Sequence, residues 1–381
     1  MKKIIICICL CLALVGCGNR NTATHKTVLP KPTVTDIKEK KNVLKDGTKA
    51  VENKQSMKKA LRIAIKGKKI ILKDLVQNKV VKAYKLKKKQ CANSFKEIDD
   101  GYCVRIFEAN RELKDHVVDG FTVYDTPDVS EIVNVSLKYF DKGLKEIAAI
   151  DISRLAEQKK CEDLLMSNFT VSRDGMLIAW NIGESILCYN RQTKEFSQYK
   201  QIYMNDIEVE NIVFSGKNIL TFYGTKGEME KDTCYGYLNL SNKKLISFIE
   251  KKYEAFSLYS DKRYMWLNDG ENPKDGKSSG KFIMVDTETG KNDIIHLDNI
   301  ESTKAAITED GKYIIAICQT EEKSFRIRQY SVANGSVLKE KEYKFSNDIH
   351  ASDIIPIDGR IYGIIYGTDK GEKLEKFVLM N

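Results

Sequence analysis

The chain has 381 residues, of which 42% are hydrophobic, 9% aromatic and 30% charged. A single core stops growing at about 250 to 300 residues, so this length requires two domains or an architecture built by repetition. The composition excludes a wholly disordered or collagen-like polymer. Ten cysteines are too few for a disulfide-stapled miniprotein, and four histidines leave little material for metal sites or histidine-based catalysis.

The net charge of +10 is unevenly distributed along the chain. Residues 60–89 contain 11 basic residues and 1 acidic residue, whereas residues 90–381 contain 39 basic and 48 acidic residues, a net charge of −9. The protein is therefore a mildly acidic body with a basic N-terminal quarter. A nucleic-acid binder more often carries basic residues on a folded face with interleaved aromatic side chains, so we expect no nucleic-acid partner.

The first residues have the organisation of an export signal. Lys2 and Lys3 precede an apolar run over residues 4–15, which is too short for a bilayer span of about 20 residues. The run ends in Leu14-Val15-Gly16-Cys17, which resembles the lipobox of bacterial lipoproteins. This resemblance implies that residues 1–16 are removed as a signal peptide. It also implies that the Cys17 thiol carries a diacylglycerol, which tethers the body to the outer side of the cell membrane. The alternative is an uncleaved anchor helix.

Residues 17–59 are predicted to form a lipidated, basic, flexible linker. They contain few large apolar side chains, no sustained periodicity, and two prolines at Pro30 and Pro32. Their basic excess is compatible with contact to anionic lipid head groups and equally with the plain solvation of a linker. The body is predicted to span residues 60–381.

The body repeats a polar turn followed by an apolar strand. The turns occur in residues 100–104, 174–178, 215–220, 260–265, 310–315 and 358–362. From Asp174 onward the starts lie between 41 and 49 residues apart. Such a period is typical of the blades of a β-propeller.

Each unit also contains a second turn, placed where a hairpin would join its last two strands. These turns lie in residues 187–196, 237–245, 282–291 and 329–337, and they use Asn, Asp, Thr and Gly. Such residues supply left-handed backbone and local side-chain capping. Four strands per unit follow from the two turns.

These turns resemble those of β-propeller repeat proteins of the Trp-Asp-repeat and quinoprotein types, whose blades end in a similar Asp-x-x-Thr-Gly hairpin. The resemblance covers residues 95–381, and residues 286–290 match it best. It implies an all-β propeller. Counting the units predicts seven four-stranded blades, with six or eight as alternatives.

The N-terminal part of the body is predicted to close the ring. Residues 61–65, 69–72 and 80–86 have the pattern of strands, and we expect them to pair with a last unit over residues 350–381 that has room for only three strands. The alternative for residues 57–89 is a basic amphipathic helix at the membrane.

The sequence contains few residues in patterns typical of catalytic, cofactor-binding or metal-binding sites. The sequence contains no nucleophile elbow, zinc-protease helix or phosphate-binding loop, so we predict no catalytic residue, cofactor or metal. We expect a monomeric binding or scaffolding module for a protein or small ligand at the cell envelope. The alternative is a propeller enzyme or cofactor-bearing protein, such as a quinoprotein-like oxidoreductase or a lactonase.

Three further features of the body are its cysteines, its two tryptophans and one polar loop. Cys91 could form a disulfide with Cys103 or Cys161 in an exported protein. The two tryptophans, Trp180 and Trp266, are expected in blade cores rather than in an aromatic ligand platform. A polar loop over residues 268–276 is expected to be a long surface loop rather than a calcium site.

Architecture alone predicts a partner surface. The connections between second and third strands should lie together on one rim, because every blade repeats the same geometry. They fall near residues 108–120, 223–232, 268–281, 319–324 and 366–373.

Overall fold

The structure of the protein is a computed structural model. It describes residues 61–66, 68–118, 121–200, 202–203, 206–227, 232–250, 256–269, 280–297, 302–321, 323–346, 348–368 and 371–380. All of them belong to one compact unit.

The described chain is almost entirely β-structure and forms seven blades, which confirms the predicted propeller. The first blade has three strands, β1 Leu61–Lys66, β2 Lys69–Asp74 and β3 Lys79–Lys85. The predicted strands over residues 61–86 are therefore confirmed, and the alternative of a helix is wrong for residues 61–85.

The second blade has four strands and an inserted hairpin. Its sheet consists of β4 Gln90–Ile98, β5 Gly101–Ala109, β8 Ile132–Asp141 and β9 Glu146–Asp151. The inserted hairpin β6 His116–Val118 and β7 Phe121–Val123, followed by a 3₁₀ turn at Val129–Glu131, separates β5 from β8.

Two short helices, α1 Ile152–Lys159 and α2 Asp163–Met166, lead to the third blade. Neither helix of the described chain has the length and apolarity that crossing a membrane requires. The third blade is β10 Phe169–Val171, β11 Leu177–Ile182, β12 Ser185–Asn190 and β13 Glu195–Tyr199. The fourth blade is β14 Ile207–Ser215, β15 Ile219–Lys226, β16 Asp232–Asn239 and β17 Lys244–Glu250.

The last three blades continue the same order. The fifth is β18 Phe256–Ser260, β19 Tyr264–Asp269, β20 Lys281–Asp286 and β21 Asn292–His296. The sixth is β22 Ser302–Ile307, β23 Tyr313–Glu321, β24 Ser324–Ser331 and β25 Val337–Lys344. The seventh has three strands, β26 His350–Asp358, β27 Ile361–Thr368 and β28 Gly371–Val378.

Successive strands are antiparallel, so their connections fall alternately on two faces of the ring. With the strands of a four-stranded blade lettered A to D in chain order, the A–B and C–D turns lie on one face, here called the A–B face. The B–C turns and the connections between blades lie on the other, here called the B–C face. The A strands contact one another near the ring centre, and the D strands are largely exposed.

The C–D turns show why the repeated turn residues are needed. In the fifth blade the Asp286 carboxylate accepts the backbone N–H groups of Glu288 and Thr289, and Gly290 is left-handed with φ 76°. Asn190 and Asn239 accept in the same way in the third and fourth blades. A short side-chain acceptor at the first position and a left-handed residue at the fifth thus define this turn.

The first blade carries the same turn between β2 and β3. Asp74 accepts the N–H groups of Val76 and Gln77, and Asn78 is left-handed with φ 51°. In addition, only residues 86–89 connect β3 to β4, so the end of β3 lies on the B–C face. Both observations assign β1, β2 and β3 to the B, C and D positions, whereas the seventh blade supplies A, B and C.

The first blade completes the ring, as predicted, but by a different mode. Among the described strands, those of the first blade pair only with one another, so the expected pairing with the last unit is wrong for these residues. Instead the two blades pack through Leu75 and Ile365, and Arg62 forms an ion pair with Asp353 at 3.1 Å. The reason is that residues 61–85 are long enough to make a sheet of their own.

The core lies between blades rather than in one centre. Each hydrophobic cluster joins neighbouring sheets; one, for example, combines residues of the third and fourth blades around Phe222. Trp180 is buried between the second and third blades, and Trp266 between the fifth and sixth. Both tryptophans are therefore core residues, as the sequence predicted. Trp180 faces the preceding blade, and Trp266 faces the following blade. Burial of each such side chain contributes about 1.5 to 3 kcal/mol.

Candidate functional site

Among the described residues, two long connections depart from the repeat, and both lie on the B–C face of the second blade. The first is the B–C connection over residues 110–131, whereas the third blade makes the same connection with residues 183–184 alone. The second is the connection over residues 152–168, which contains α1 and α2. We call these two segments the blade-2 rim. Insertions into a repeat fold collect on one face, which is often the binding face.

The inserted segment is held by charged groups on its surface. The Arg111 guanidinium donates to both carboxylate oxygens of Asp125, at 2.7 and 3.0 Å, and its Nε donates to Glu131 at 2.6 Å. The hydrogen bond from Arg111 lowers the pKa of Glu131. Asp125 also accepts the backbone N–H of Lys114. A bidentate ion pair and its neighbours therefore hold the described part of this segment.

One residue anchors the insertion to the ring. Leu113 is fully buried, its N–H donates to the carbonyl of Lys88 at 3.0 Å, and its carbonyl accepts from the Lys68 ammonium. Asn110 and Glu131 close the base of the insertion through a backbone hydrogen bond of 2.8 Å. The insertion is thus fixed in place next to the first blade.

The helical connection is anchored by a buried arginine. Arg105 on β5 donates to the carbonyl of Ser167 at 2.8 Å and to the side-chain oxygen of Asn93 at 2.7 and 3.1 Å. Its guanidinium lies 5.4 Å from the ring centres of Phe107 and Phe169. Burial lowers the pKa of Arg105 to about 10. The sequence pattern gave no indication of this arginine, because its partners are distant in the chain.

The helix itself has a signal that the strand-based interpretation overlooked. Asp151 caps α1 by accepting the N–H of Arg154 at 2.9 Å, and Lys159 lies in its last turn. An acidic N-cap and a basic last turn are helix boundary signals. Ile152 and Ala156 face the core, whereas Arg154, Glu157, Gln158 and Lys159 are exposed on the rim.

Exposed apolar side chains accompany these elements. Tyr124 and Val129 on the insertion are 44% and 67% exposed, and Met166 on α2 is 42% exposed. Val133, at the start of β8, is 58% exposed. Exposed apolar groups on a charged, rigid surface are a feature of protein-binding sites.

The A–B face is organised differently, because its turns bind one another. Asp99 of the second blade donates its N–H to the Arg173 carbonyl at 2.6 Å, and Arg173 of the third donates to Gly216 of the fourth at 3.0 Å. The Arg173 side chain also contacts the carboxylates of Asp99 at 3.4 Å and Asp261 at 3.3 Å. This face is held together by contacts within the ring.

A carboxylate on an inner strand lies near these charges. Burial raises the pKa of Glu97 on β4, and the nearby Arg62 and Arg173 oppose that rise. Arg62 is itself paired with Asp353 on the inner strand of the seventh blade. The charges at the ring centre therefore hold neighbouring blades together, and we assign them a structural role.

The cysteines and histidines are dispersed over the fold. Cys91, Cys103 and Cys161 are free thiols, so the structure shows no disulfide among these three. Burial raises the pKa of four thiols, to about 11 in Cys91 and Cys234 and to about 12 in Cys103 and Cys188. Thiols of such high pKa are poor nucleophiles. His116, His296 and His350 lie in three different blades.

No group of three or more His, Cys, Asp or Glu side chains suited to a metal ion occurs among the described residues. A groove of about 470 Å³ between the sixth and seventh blades is lined by residues that include Asp310, Tyr313 and Arg360. Within the groove the Thr308 hydroxyl donates to the Asp310 carboxylate at 2.6 Å, as the Ser172 hydroxyl does to Asp174 in the third blade, so this pair belongs to the repeated A–B turn.

Several predicted features lie outside the described residues. They are the signal peptide over residues 1–16, Cys17, the linker over residues 17–59 and most of the loop over residues 268–281. Each of the five predicted B–C connections is described in part, and the flanking strands place all five on the predicted face. The one near residues 108–120 differs from the prediction, because it is an insertion with its own hairpin rather than a plain loop.

Comparisons with known proteins return structures but no sequence family. No family model and no curated protein matches the chain. A chain of the "Mitotic Checkpoint Complex" crystal structure aligns with 91% of this chain and 99% of its own length, at 8% identity and a TM-score of 0.48. Hsv2p of Kluyveromyces lactis aligns with 76% and 75%, at 12% identity and a TM-score of 0.46.

A third similar structure is the dihydro-heme d1 dehydrogenase NirN. It aligns with 84% of this chain and 73% of its own length, at 10% identity and a TM-score of 0.42. Because all three scores lie below 0.5, the assignment of the fold rests on the strand topology described above.

Proposed function

We propose that this protein is a lipoprotein of the cell envelope, anchored through Cys17, whose propeller binds a protein partner through the blade-2 rim. The lipobox-like end of the apolar run supports the anchor. The observation that carries the binding role is that, among the described residues, both long connections that depart from the repeat lie on the B–C face of one blade.

The chemistry of the rim favours a protein over a small ligand. A small-molecule site is concave and encloses its ligand. The rim instead presents Tyr124, Val129 and Met166 as exposed apolar side chains, beside the ion-paired Arg111. Aromatic, methionine and arginine side chains are enriched where protein surfaces meet.

The binding role can be tested with matched apolar positions on the two faces. A photo-crosslinking residue at Met166, 42% exposed on the B–C face, is compared with one at Met176, which is also 42% exposed but lies in an A–B turn. We expect cells that carry the Met166 probe to yield a crosslinked partner and cells that carry the Met176 probe to yield none.

Substitutions then measure the contribution of the rim. Val129→Glu with Met166→Glu should weaken capture of that partner by about tenfold or more, because interface energy concentrates in a few apolar anchors. Met176→Glu should leave capture unchanged. Capture that is lost with Met176→Glu and kept in the rim variant would transfer the binding surface to the opposite face.

The anchor is tested separately. Cys17→Ser should abolish incorporation of labelled palmitate and leave an uncleaved precursor, because the acylated cysteine is the substrate for processing. Normal processing of this variant would indicate an ordinary signal peptidase and contradict the lipoprotein assignment.

A further inference from the structure

We infer that one corner of the first blade binds the anionic surface of a phospholipid bilayer. The lysine corner consists of Lys66, Lys68, Lys69, Lys85, Lys87, Lys88 and Lys89. The turn between β1 and β2, the end of β3 and the connection to β4 meet there, as the 2.9 Å hydrogen bond from the Leu86 N–H to the Lys68 carbonyl shows. This inference rests on the proposed anchoring, which would bring the corner near a membrane.

The register of the sheet places three of these lysines in one row. Lys66 on β1 lies opposite Lys69 on β2, and Lys69 lies opposite Lys85 on β3. Like charges that face each other across strands destabilise a sheet. All three side chains are exposed, and no carboxylate of the described residues lies within 4.0 Å of their ammonium groups. The fold thus retains a repulsion that an anionic partner would relieve.

The surroundings add little negative charge. Residues 66–89 contain ten lysines and one acidic residue, Asp74, which is buried and caps the turn at the other end of the sheet. Within the corner, Lys88 pairs with Glu112 at 3.3 Å, and Lys87 interacts electrostatically with Glu146. The Lys68 and Lys89 ammonium groups donate to the carbonyls of Leu113 and Asn110. The corner therefore keeps most of its positive charge.

On the outer strand of the sixth blade, carboxylates neutralise the neighbouring lysines. On β25, Glu340 and Glu342 alternate with lysines, and Arg328 on the neighbouring strand pairs with Glu340 at 2.5 Å. Charges of both signs are interspersed there, as on an ordinary solvated surface. The first blade has no such alternation, so its basic charge needs a separate explanation.

The shape of the corner favours a surface over a small anion or a nucleic acid. Six of its seven lysines are exposed, and the register spreads Lys66, Lys69 and Lys85 across three neighbouring strands. Single-stranded nucleic acids need aromatic side chains for base stacking. The aromatic residue of β3, Tyr84, instead packs against Phe140 and donates to Glu146 at 2.6 Å. An extended array of lysines fits the head groups of an anionic bilayer.

The experiment uses the mature, lipidated full chain in nanodiscs. One set contains phosphatidylcholine alone, and the other contains phosphatidylcholine with phosphatidylglycerol. An amine-reactive reagent labels exposed lysines, and mass spectrometry measures the labelling rate of each. In the anionic nanodiscs we expect labelling of Lys66, Lys69 and Lys85 to slow about fivefold or more, and high salt to restore it. Lys243 and Lys244, which are exposed on the A–B face, should label equally in both sets.

A variant tests whether the row itself is responsible. Replacing Lys66, Lys69 and Lys85 by Gln should remove the salt-sensitive protection of Lys87 and Lys89, whereas Gln at Lys243, Lys244 and Lys291 should not. The variant should fold at least as well as the original chain, because the substitutions relieve repulsion within the sheet.

The outcomes separate this inference from the proposed function. A chain that fails to enter nanodiscs at all would contradict the lipid anchor. A chain that is anchored but labels its corner equally in both lipid compositions would overturn the inference. Protection by added single-stranded DNA, but not by phosphatidylglycerol, would also overturn it and identify a nucleic acid as the ligand.

Discussion

The two faces of the ring are made by the same strands but are stabilised in different ways. On the A–B face, repeated turns bind one another, from Asp99 through Arg173 to Gly216. On the B–C face, the second blade carries an insertion and a helical connection that belong to no repeat. Because the turns of the A–B face hold the ring together, substitutions there should destabilise the fold. The B–C face can instead carry an added function without loss of the fold.

The largest change in the free energy of unfolding is expected at the junction between the last and first blades. Leu75 is 3% exposed and packs against Ile365 of the seventh blade, while its neighbour Val76 is 36% exposed. Leu75→Asp should lower the free energy of unfolding by about 4 kcal/mol, because it buries a charge without a partner. Val76→Asp should change it by less than about 0.5 kcal/mol. Equal effects in chemical denaturation would contradict closure of the ring at this contact.

Alanine substitutions at one glycine on each face compare the two faces directly. Gly311 on the A–B face has φ +69°, and an added Cβ would lie 2.6 Å from the ring carbon Cζ of Tyr264 in the preceding blade. Gly183 on the B–C face has φ +55°, and nothing lies within 4 Å of an added Cβ. Gly311→Ala should cost about 3 kcal/mol, from left-handed strain together with a clash. Gly183→Ala should cost about 1 to 2 kcal/mol, from the strain alone. Thermal unfolding of both variants measures the difference, and equal losses would mean that the packed A–B turns add no constraint.

On the B–C face, the buried Arg105 should contribute more to stability than the exposed Arg111. Arg105→Leu should lower the free energy of unfolding by about 2 kcal/mol, because the Ser167 carbonyl and the Asn93 side chain lose their donor. Arg111→Leu should have a smaller effect, since water screens exposed ion pairs. Hydrogen exchange along α1 is the second measurement, and it should accelerate in the Arg105 variant alone. Faster exchange in both variants would show that the insertion and the helices form one unit.

Much of this fold was predictable from the sequence, for a physical reason. The carboxylates of Asp174, Asp286 and Asp310 each accept the backbone N–H two residues later, and such local contacts are what a single sequence displays. The helix α1 escaped prediction because it occurs once and is short, so no periodicity supported it. The sequence predicted that the first blade meets the seventh, but not that they meet by packing instead of strand pairing, since that packing depends on residues almost 300 positions apart.

The candidate site was less predictable than the fold. The sequence placed a connection near residues 108–120 on the correct rim, because blade geometry fixes the face of every turn. The contacts that order it, from Arg111 to Asp125 and from Arg105 to Ser167, join residues on different elements. The row of Lys66, Lys69 and Lys85 likewise appears only when the register of three strands is known. Composition could show the basic charge of this region but not its alignment.

The smallest expected effect concerns a charge within a regular turn. The hydrogen bond from Arg263 lowers the pKa of Asp286 to about 2, below its usual value of 3.8. A carboxyl with a lowered pKa adds stability above its unfolded pKa and loses it as the pH falls through the folded pKa, here from about pH 4 to about pH 2. Asp286→Asn keeps the oxygen that caps the turn, as Asn190 and Asn239 do elsewhere, but removes the charge. The original chain should therefore be more stable at pH 5 by at most about 1 kcal/mol after allowance for solvent screening, and the gap should close near pH 2. Denaturant titrations of both chains between pH 2 and pH 5 measure it. A gap that persists at pH 2 would assign the stabilisation to turn geometry rather than to charge, and the regular face would then depend on its repeated backbone alone.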